Sequence, residues 1–282
     1  MSAVGFVGLG NMGFPMAGHL VDAGYEVLGY DVSPDARTRF GPSVPNLADV
    51  AAAPVVILML PNSDVVESVV GDVTWRRGTV VVDMSSSEPL RTKALAAALA
   101  ESGVVLVDAP VSGGVARART GTLTIMAGGP PDVLDGLAAV FACLGSVVRA
   151  GDVGAGHAIK ALNNLLSATH LLATAEAMVA GERFGLDPDV MLSVINTSSG
   201  RSGSTEQKWP NFVRTEKYDS GFGLRLMLKD MRIAVDLAER VGAPDRLGSD
   251  AVALWSEAAD ALPATADHTE IARWVRTLVE QD

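Results

Sequence analysis

The chain is predicted to be α/β, with a doubly wound sheet in its first part and an all-helical C-terminal domain after it. Three observations carry that prediction. Apolar runs rich in β-branched residues alternate with helical segments up to about residue 150, a glycine turn directly follows the first run, and no strand-like run occurs after Gly151.

The strand candidates are AVGFVGLG, YEVLGYD, PVVILMLP, GTVVVDMS, GVVLVDAP, LTIMAGG and GSVVRAG, in that order. They are continuous rather than alternating, as expected of strands covered by helices on both faces, so the sheet is mostly parallel. Between them lie helix candidates such as NMGFPMAGHLVDAG, closed by Gly24, and EPLRTKALAAALAESG, closed by Gly103, each glycine suited to a left-handed cap. After Gly151 the period changes, and DVGAGHAIKALNNLLSATHLLATAEAMVAGERFG reads as a long interdomain helix at about 155–184, ending at Gly185. DPDVMLSVINTSS, GLRLMLKDMRIAVDLAERVG, APDRLGSDAVALWSEAADAL and DHTEIARWVRTLVEQD follow as helices separated by Gly, Pro and Ser breaks. The N-terminal domain is assigned to residues 1–160 and the helical domain to 161–282.

Composition narrows the function. With 22 Lys and Arg against 33 Asp and Glu, the net charge is −11, which repels a phosphate backbone and argues against a nucleic-acid partner. The single cysteine, Cys143 in VFACLGSVV, can form no intrachain disulfide and reads as a small buried apolar residue. The first basic residue is Arg37, so the charged head of a signal peptide is missing. The longest apolar run, VVILML, is far short of the about 20 residues that cross a bilayer. A cytoplasmic protein without a membrane partner is expected. His19, His157, His170 and His268 stand at no metal-ligand spacing, so no metal is expected either. His157 reads as a polar helix-start residue and Glu176 as a structural acid between helices.

The glycine turn is VGFVGLGNMGFPMAGHL, with Gly8, Gly10 and Gly13 at G-x-G-x-x-G spacing between a strand and a helix. In that context Gly8 permits the tight turn, Gly10 lets the backbone approach a pyrophosphate and Gly13 lets helix and strand pack closely, so a Rossmann-type dinucleotide site is predicted. Asp31 ends the second strand where a carboxylate can accept from the ribose hydroxyls and repel a 2′-phosphate, which favours NAD over NADP. Arg37 and Arg39, a helical turn or two on, are either solvated or within reach of a phosphate.

Two further segments carry chemistry. In DAPVSGGVARARTGTLTIMAGG, the N–H groups and hydroxyl of Ser112, Gly113 and Gly114 suit a carboxylate, while the same composition also suits a glycine-rich turn with a solvated serine. In GHAIKALNNLL, Lys160 and Asn164 lie one turn apart on one helix face, with Asn163 offset, among Ala158, Ile159, Ala161, Leu162, Leu165 and Leu166. A lysine in that company either reaches water with its head or faces a polar cavity.

Together GFVGLGNMGFPMAGHL, DAPVSGG…GTLTIMAGG, GAGHAIKALNN and LMLKD resemble the β-hydroxyacid dehydrogenases, the group that contains 3-hydroxyisobutyrate dehydrogenase and tartronate semialdehyde reductase. The resemblance implies a Rossmann domain followed by a helical one, with the active site in the cleft between them, and hydride transfer between NAD and a small 3-hydroxy acid or its semialdehyde. It implies that Lys160 is the general acid and base, that Asn164 positions substrate or lysine, and that Ser112, Gly113 and Gly114 hold the substrate carboxylate, with Lys160, Asn164 and Ser112 the catalytic set. Cofactor contacts fall on Gly8, Leu9, Gly10, Asn11, Met12, Gly13, Asp31, Met59, Leu60, Pro61 and Lys229, and on Ser86, where threonine is commoner in the family. Alternatives are an imine-reductase-like enzyme, against which Lys160 argues, and a non-catalytic cofactor-binding regulatory protein, which the acidic composition disfavours. The segment NTSSGRSGSTEQKWPNFV reads as a substrate-selecting loop, with Ser202, Thr205 and Lys208 as candidate contacts. The apolar share of the C-terminal helices, with Trp255 and Trp274, suits a homodimer or homotetramer.

Overall fold

The alternation of apolar runs and helices builds an open sheet in which β1 (Ala3–Val7) pairs in parallel with β2 (Glu26–Tyr30) and β3 (Val55–Leu58). Strands β4 (Val80–Asp83) and β5 (Val105–Asp108) continue the parallel run. Beyond them β7 (Leu123–Gly128) runs antiparallel to β5 and to β6 (Val111–Ser112), and β8 (Gly145–Gly151) lies parallel to β7. The order is β2-β1-β3-β4-β5-β7-β6, with β8 off that path, so the winding reverses between β1 and β3. Open α/β sheets bind ligands outside the carboxyl ends of the strands at such a point. The computed structural model describes residues 3–44 and 46–279 and divides the chain into two compact units, Met1–Lys160 and Ala161–Asp282.

In the first unit the helices are α1 (Gly13–Asp22), α2 (Pro34–Phe40), α3 (Leu47–Val50), α4 (Ser63–Gly71), α5 (Pro89–Glu101), α6 (Gly114–Thr120), α7 (Pro131–Gly136) and α8 (Ala138–Ala142). They cover both faces of the sheet, because successive strand side chains point to opposite sides. Phe6 and Ile57 pack with Met16, Ala17 and Leu20 of α1 in one apolar cluster. Val7, Val56 and Leu58 pack with Val66, Val70 and Leu99 in the other. Two expectations are corrected. The GSVVRAG run is β8, but Val147 and Val148 are exposed rather than covered, since the strand lies off the central path. Cys143 is half-buried at the margin of the first cluster, its thiol 3.3 Å from the Ala139 carbonyl oxygen.

The long helix α9 (Ala155–Phe184) ends at Gly185, as predicted, and the φ of +96° there is left-handed. The second unit continues with α10 (Pro188–Asn196), a π-helical segment (Ser204–Val213), α11 (Leu224–Arg240), α12 (Arg246–Ala261), a 3-10 turn (His268–Glu270) and α13 (Ile271–Thr277). Its core joins Leu171, Met178, Trp209, Met231, Trp255 and Ile271. The stretch read as a loop is therefore largely helical. Glycine and serine hide a buried stripe of Ser204, Thr205, Trp209 and Val213, and the wide turn holds Pro210. The Arg214 N–H closes the segment on the Trp209 carbonyl five residues back, at 2.8 Å.

Asp267 ties this unit together, accepting from Ser220 Oγ at 2.8 Å, from the Gly221 N–H at 2.9 Å and from the Thr269 N–H at 2.9 Å. Next to it His268 is buried, its Nδ1 2.9 Å from Ser220 Oγ, and burial and the nearby Lys208 charge pull its pKa from 6.5 to about 4. The unfolded chain therefore binds a proton that the folded chain refuses as pH falls below about 6.5, so stability is lost between pH 6.5 and 4. By pH 5 the loss from this group is about 2 kcal/mol. Denaturant melts at pH 7.5 and 5 should register it, and His268→Asn should flatten the difference.

Candidate active site

The turn after β1 is built by steric necessity. Gly8 has a φ of +97°, and a Cβ there would stand 2.3 Å from the Met59 carbonyl oxygen; one at Gly13 would stand 1.8 Å from the Gly8 carbonyl oxygen. Gly10 differs, since a Cβ there finds nothing within 4 Å, so the main chain beside exposed Asn11 is open where α1 begins at Gly13, with Met12 as its cap. Free N–H groups at a helix start beside an uncovered main chain fit a pyrophosphate.

Asp31 closes this turn from β2, accepting the Leu9 N–H at 2.7 Å and the Ser33 N–H at 2.8 Å. Each oxygen keeps a lone pair for a hydroxyl donor. Arg37 Nη1 donates to the Asp31 main-chain oxygen at 2.6 Å and its guanidinium lies over Tyr30. Arg39 Nη2 donates to the Leu9 main-chain oxygen at 3.1 Å and lies over Phe14. Both arginines thus frame the turn rather than stand in solvent.

The segment Met59, Leu60 and Pro61 leaves the end of β3. The Met59 N–H bonds the Val7 carbonyl at 2.9 Å, and the Leu60 N–H bonds Ser85 Oγ at 2.9 Å. Ser85 is in turn set by Asp83, which accepts the Ser85 N–H at 2.9 Å and Ser87 Oγ at 2.7 Å. Ser86 is half-buried between these two. Four residues past the end of β5, Ser112 is not in a free loop: it pairs with Thr124 as part of β6, and Gly113, at φ +124°, turns the chain into α6, which opens at Gly114.

The first turn of α9 is anchored by a buried acid. Asp108, at the end of β5, accepts the Gly154 N–H at 2.6 Å and the His157 N–H at 2.8 Å. Burial raises its carboxyl pKa, and those N–H groups oppose the rise. His157 does not cap the helix with its side chain as expected. Its ring is buried, with Nδ1 2.9 Å from Thr92 Oγ1 and Nε2 3.7 Å from Asp83 Oδ2. One turn on, Lys160 is only 9% exposed, whereas Ile159 and Leu162 are each 42% exposed and Leu166 is 59% exposed. Over these first turns the helix buries Lys160 and presents Ile159, Leu162 and Leu166, while farther along Leu171 and Met178 are buried.

Asn164, also buried, donates through Nδ2 to Asp230 Oδ2 at 2.6 Å, and Lys229 Nζ pairs with Asp230 Oδ1 at 3.0 Å. Asp230 itself is 1% exposed in α11. Three residues beyond Asn164, Ser167 Oγ bonds Lys208 Nζ at 2.5 Å. Ser202 and Thr205 spend their hydroxyls on each other's N–H groups, at 2.9 and 3.3 Å. Glu176 is exposed and makes no hydrogen bond or ion pair among the described residues, against the expected structural role.

Sequence reasoning missed Asp230, Ser85 and Asp108. The Lys-Asp pair in LMLKD, where an acid interrupts the apolar face of α11, was a readable signal for the first. The other two stand at strand ends, where position alone marks them. Among the described residues no group of three His, Cys, Asp or Glu could hold a metal, and no helix is long and apolar enough to cross a membrane.

A family model described as the NAD-binding domain of 6-phosphogluconate dehydrogenase matches residues 3–154, and one described as NAD-binding of NADP-dependent 3-hydroxyisobutyrate dehydrogenase matches 154–275. The human mitochondrial 3-hydroxyisobutyrate dehydrogenase is 41% identical over 87% of this chain and 78% of its own length. A 2-(hydroxymethyl)glutarate dehydrogenase of Eubacterium barkeri is 38% identical over 86% of this chain and 84% of its own. The solved 3-hydroxyisobutyrate dehydrogenase of Mycobacterium tuberculosis with L-serine superposes with a TM-score of 0.93 at 32% identity, covering 98% of this chain and 99% of that one. The chain belongs to the 3-hydroxyisobutyrate dehydrogenase family of β-hydroxyacid dehydrogenases and is an NAD(P)-dependent enzyme acting on the CH–OH group of a small hydroxy acid.

Proposed function

We propose that Lys160 is the general acid and base of this dehydrogenase, with Asn164 and Ser112 beside it in the reaction and Ser112, Gly113, Gly114 and Asn164 holding the substrate carboxylate. The observation that carries this is the reversed face of α9, where a lysine and an asparagine are buried at i and i+4 while neighbouring leucines are exposed. In the oxidative direction Lys160 Nζ takes the hydroxyl proton, and in the reductive direction it returns a proton to the carbonyl oxygen. A bound nicotinamide dinucleotide supplies the hydride acceptor or donor. Asn164 is held by Asp230, so its second Nδ2 hydrogen is oriented for the substrate rather than free to rotate.

The cofactor is held by Gly8, Leu9, Gly10, Asn11, Met12 and Gly13, by Asp31, by Met59, Leu60 and Pro61, and by Ser86 and Lys229. NAD is preferred, because the Asp31 carboxylate meets a 2′-phosphate as a like charge, and Arg37 and Arg39 are already bonded to main-chain oxygens. The working form is a homodimer or homotetramer. Trp255 and Trp274 are spent on the internal core, so the support moves to Leu162 and Leu166 on α9 and Val190 and Val194 on α10, all exposed one turn apart in each pair. The domain assignment, 1–160 and 161–282, is kept.

Lys160→Ala should lower kcat roughly 10²- to 10⁴-fold, as loss of a general acid and base does, with NAD affinity within about twofold by fluorescence titration; normal turnover in the folded variant overturns the assignment. Steady-state kinetics should give a higher kcat/KM with NAD than with NADP, and the reverse order sinks the Asp31 argument. Light scattering should give a multiple of 29.2 kDa, the monomer mass itself refuting association.

A further inference from the structure

We propose that His157, bonded to Thr92 of α5 one turn before Lys160, is a positioning residue for proton transfer: it fixes the rotation of the first turns of α9 and so the place of the lysine. This rests on the reading of Lys160 as general acid and base and adds the device that holds it. All the residues concerned belong to the first unit, Met1–Lys160.

The start of α9 is pressed against its neighbours. A Cβ at Gly156 would stand 2.1 Å from the Met126 main-chain oxygen of β7, and one at Gly154 would stand 2.9 Å from the Pro89 main-chain oxygen of α5. Asp108 takes the Gly154 and His157 N–H groups at the same end. These contacts lie at the helix terminus, so they fix where the helix begins and leave its rotation to a contact on its side. The His157 ring makes that contact. Nδ1 lies 2.9 Å from Thr92 Oγ1, whose single hydrogen goes to the Glu88 carbonyl at 3.0 Å, so Nδ1 carries a proton and donates to the threonine. Lys160 follows at i+3 on the same face, its Cβ roughly 5–6 Å from that of His157.

Packing alone does not call for an imidazole at this point. The ring is buried, and its Nε2, 3.7 Å from Asp83 Oδ2, makes no hydrogen bond among the described residues. Such an atom costs stability. Neither acid beside the ring depends on it for a donor, since Asp83 accepts from the Ser85 N–H and Ser87 Oγ and Asp108 accepts from the two N–H groups of the helix start. A leucine would fill the space without an unpartnered nitrogen. What it would lack is the bond to Thr92, and a displacement of a reacting group by about 1 Å can lower a rate about 100-fold.

The test measures kcat, KM and NAD affinity for wild type, His157→Leu, His157→Asn, Thr92→Val and Lys160→Ala, each checked by thermal melting. The substrate is whichever of 3-hydroxyisobutyrate and L-serine wild type oxidises faster. His157→Leu and Thr92→Val should each lower kcat about tenfold or more, with NAD affinity within about twofold, and the double variant should be no slower than the slower single one. Asparagine places an amide donor where Nδ1 stands, so His157→Asn should recover most of kcat. An unchanged kcat in Thr92→Val, or a folded His157→Asn no faster than His157→Leu, overturns this inference and leaves the Lys160 reading intact. Normal turnover in Lys160→Ala overturns both.

Discussion

The structure depends on burying the polar face of one helix. In α9 the residues turned inward over its first turns are Lys160 and Asn164, and the residues left outward include Ile159, Leu162 and Leu166. That is the opposite of what the hydrophobic effect alone selects, since each half-exposed leucine forgoes roughly 1 kcal/mol of burial. The arrangement holds because the inward groups are met. Asn164 has Asp230 at 2.6 Å, and a buried amide without a partner would cost about 1–3 kcal/mol. Asp230 in turn needs a cation, which Lys229 supplies from the adjacent position in the same helix. An acid in the middle of the apolar face of α11 is thus a consequence of an asparagine in α9.

The start of the same helix is held as firmly, by a different device. Asp108 caps it from the end of a sheet strand, taking two main-chain N–H groups that would otherwise be orphaned. A capping residue taken from β5 rather than from the preceding loop couples the first turn of α9, and with it Lys160, to the sheet of the first unit. The nucleotide turn is anchored in the same manner. Asp31 reaches back from β2 to the Leu9 N–H, and Ser85 reaches from the end of β4 to the Leu60 N–H. Backbone at these strand ends is therefore set by side chains of neighbouring strands, while a Cβ at Gly8 or Gly13 would collide with a main-chain oxygen.

How much of this was legible in the sequence follows from the range of each interaction. The strands of the parallel run, the G-x-G-x-x-G turn and the extent of α9 are local in origin, because continuous apolar runs, glycine positions and helical period all act within a few residues. β6 was not legible: two residues, Val111 and Ser112, carry no period, and their pairing with β7 is decided by the chain that follows. The π-helical segment was hidden because its composition is that of a loop, and only tertiary burial of Trp209 and Val213 makes it helical. In the site, Lys160 and Asn164 stood out as polar residues in an apolar stretch. The orientation of that stretch did not, since Leu162 and Leu166 read equally well as core, and the partners Asp108 and Asp230 lie 49 and 66 residues from the groups they hold.

Charge explains why those partners are arranged as they are. A chain of net charge −11 repels anionic substrates at long range, so attraction must come from cations placed where water cannot screen them. Lys160, Lys208 and Lys229 are all taken partly or fully out of solvent. They differ in what already compensates them. Lys229 has a carboxylate at 3.0 Å, Asp230, which in turn holds Asn164. Among the described residues Lys208 hydrogen-bonds the two oxygens of Ser167, and the Asp267 charge partly offsets its desolvation. A paired ammonium is compensated where it stands, whereas one facing neutral oxygens keeps more of its desolvation cost. The buried Asp230 is thus met by the cation next to it in sequence, and the fixed position of the Asn164 amide follows from that pairing.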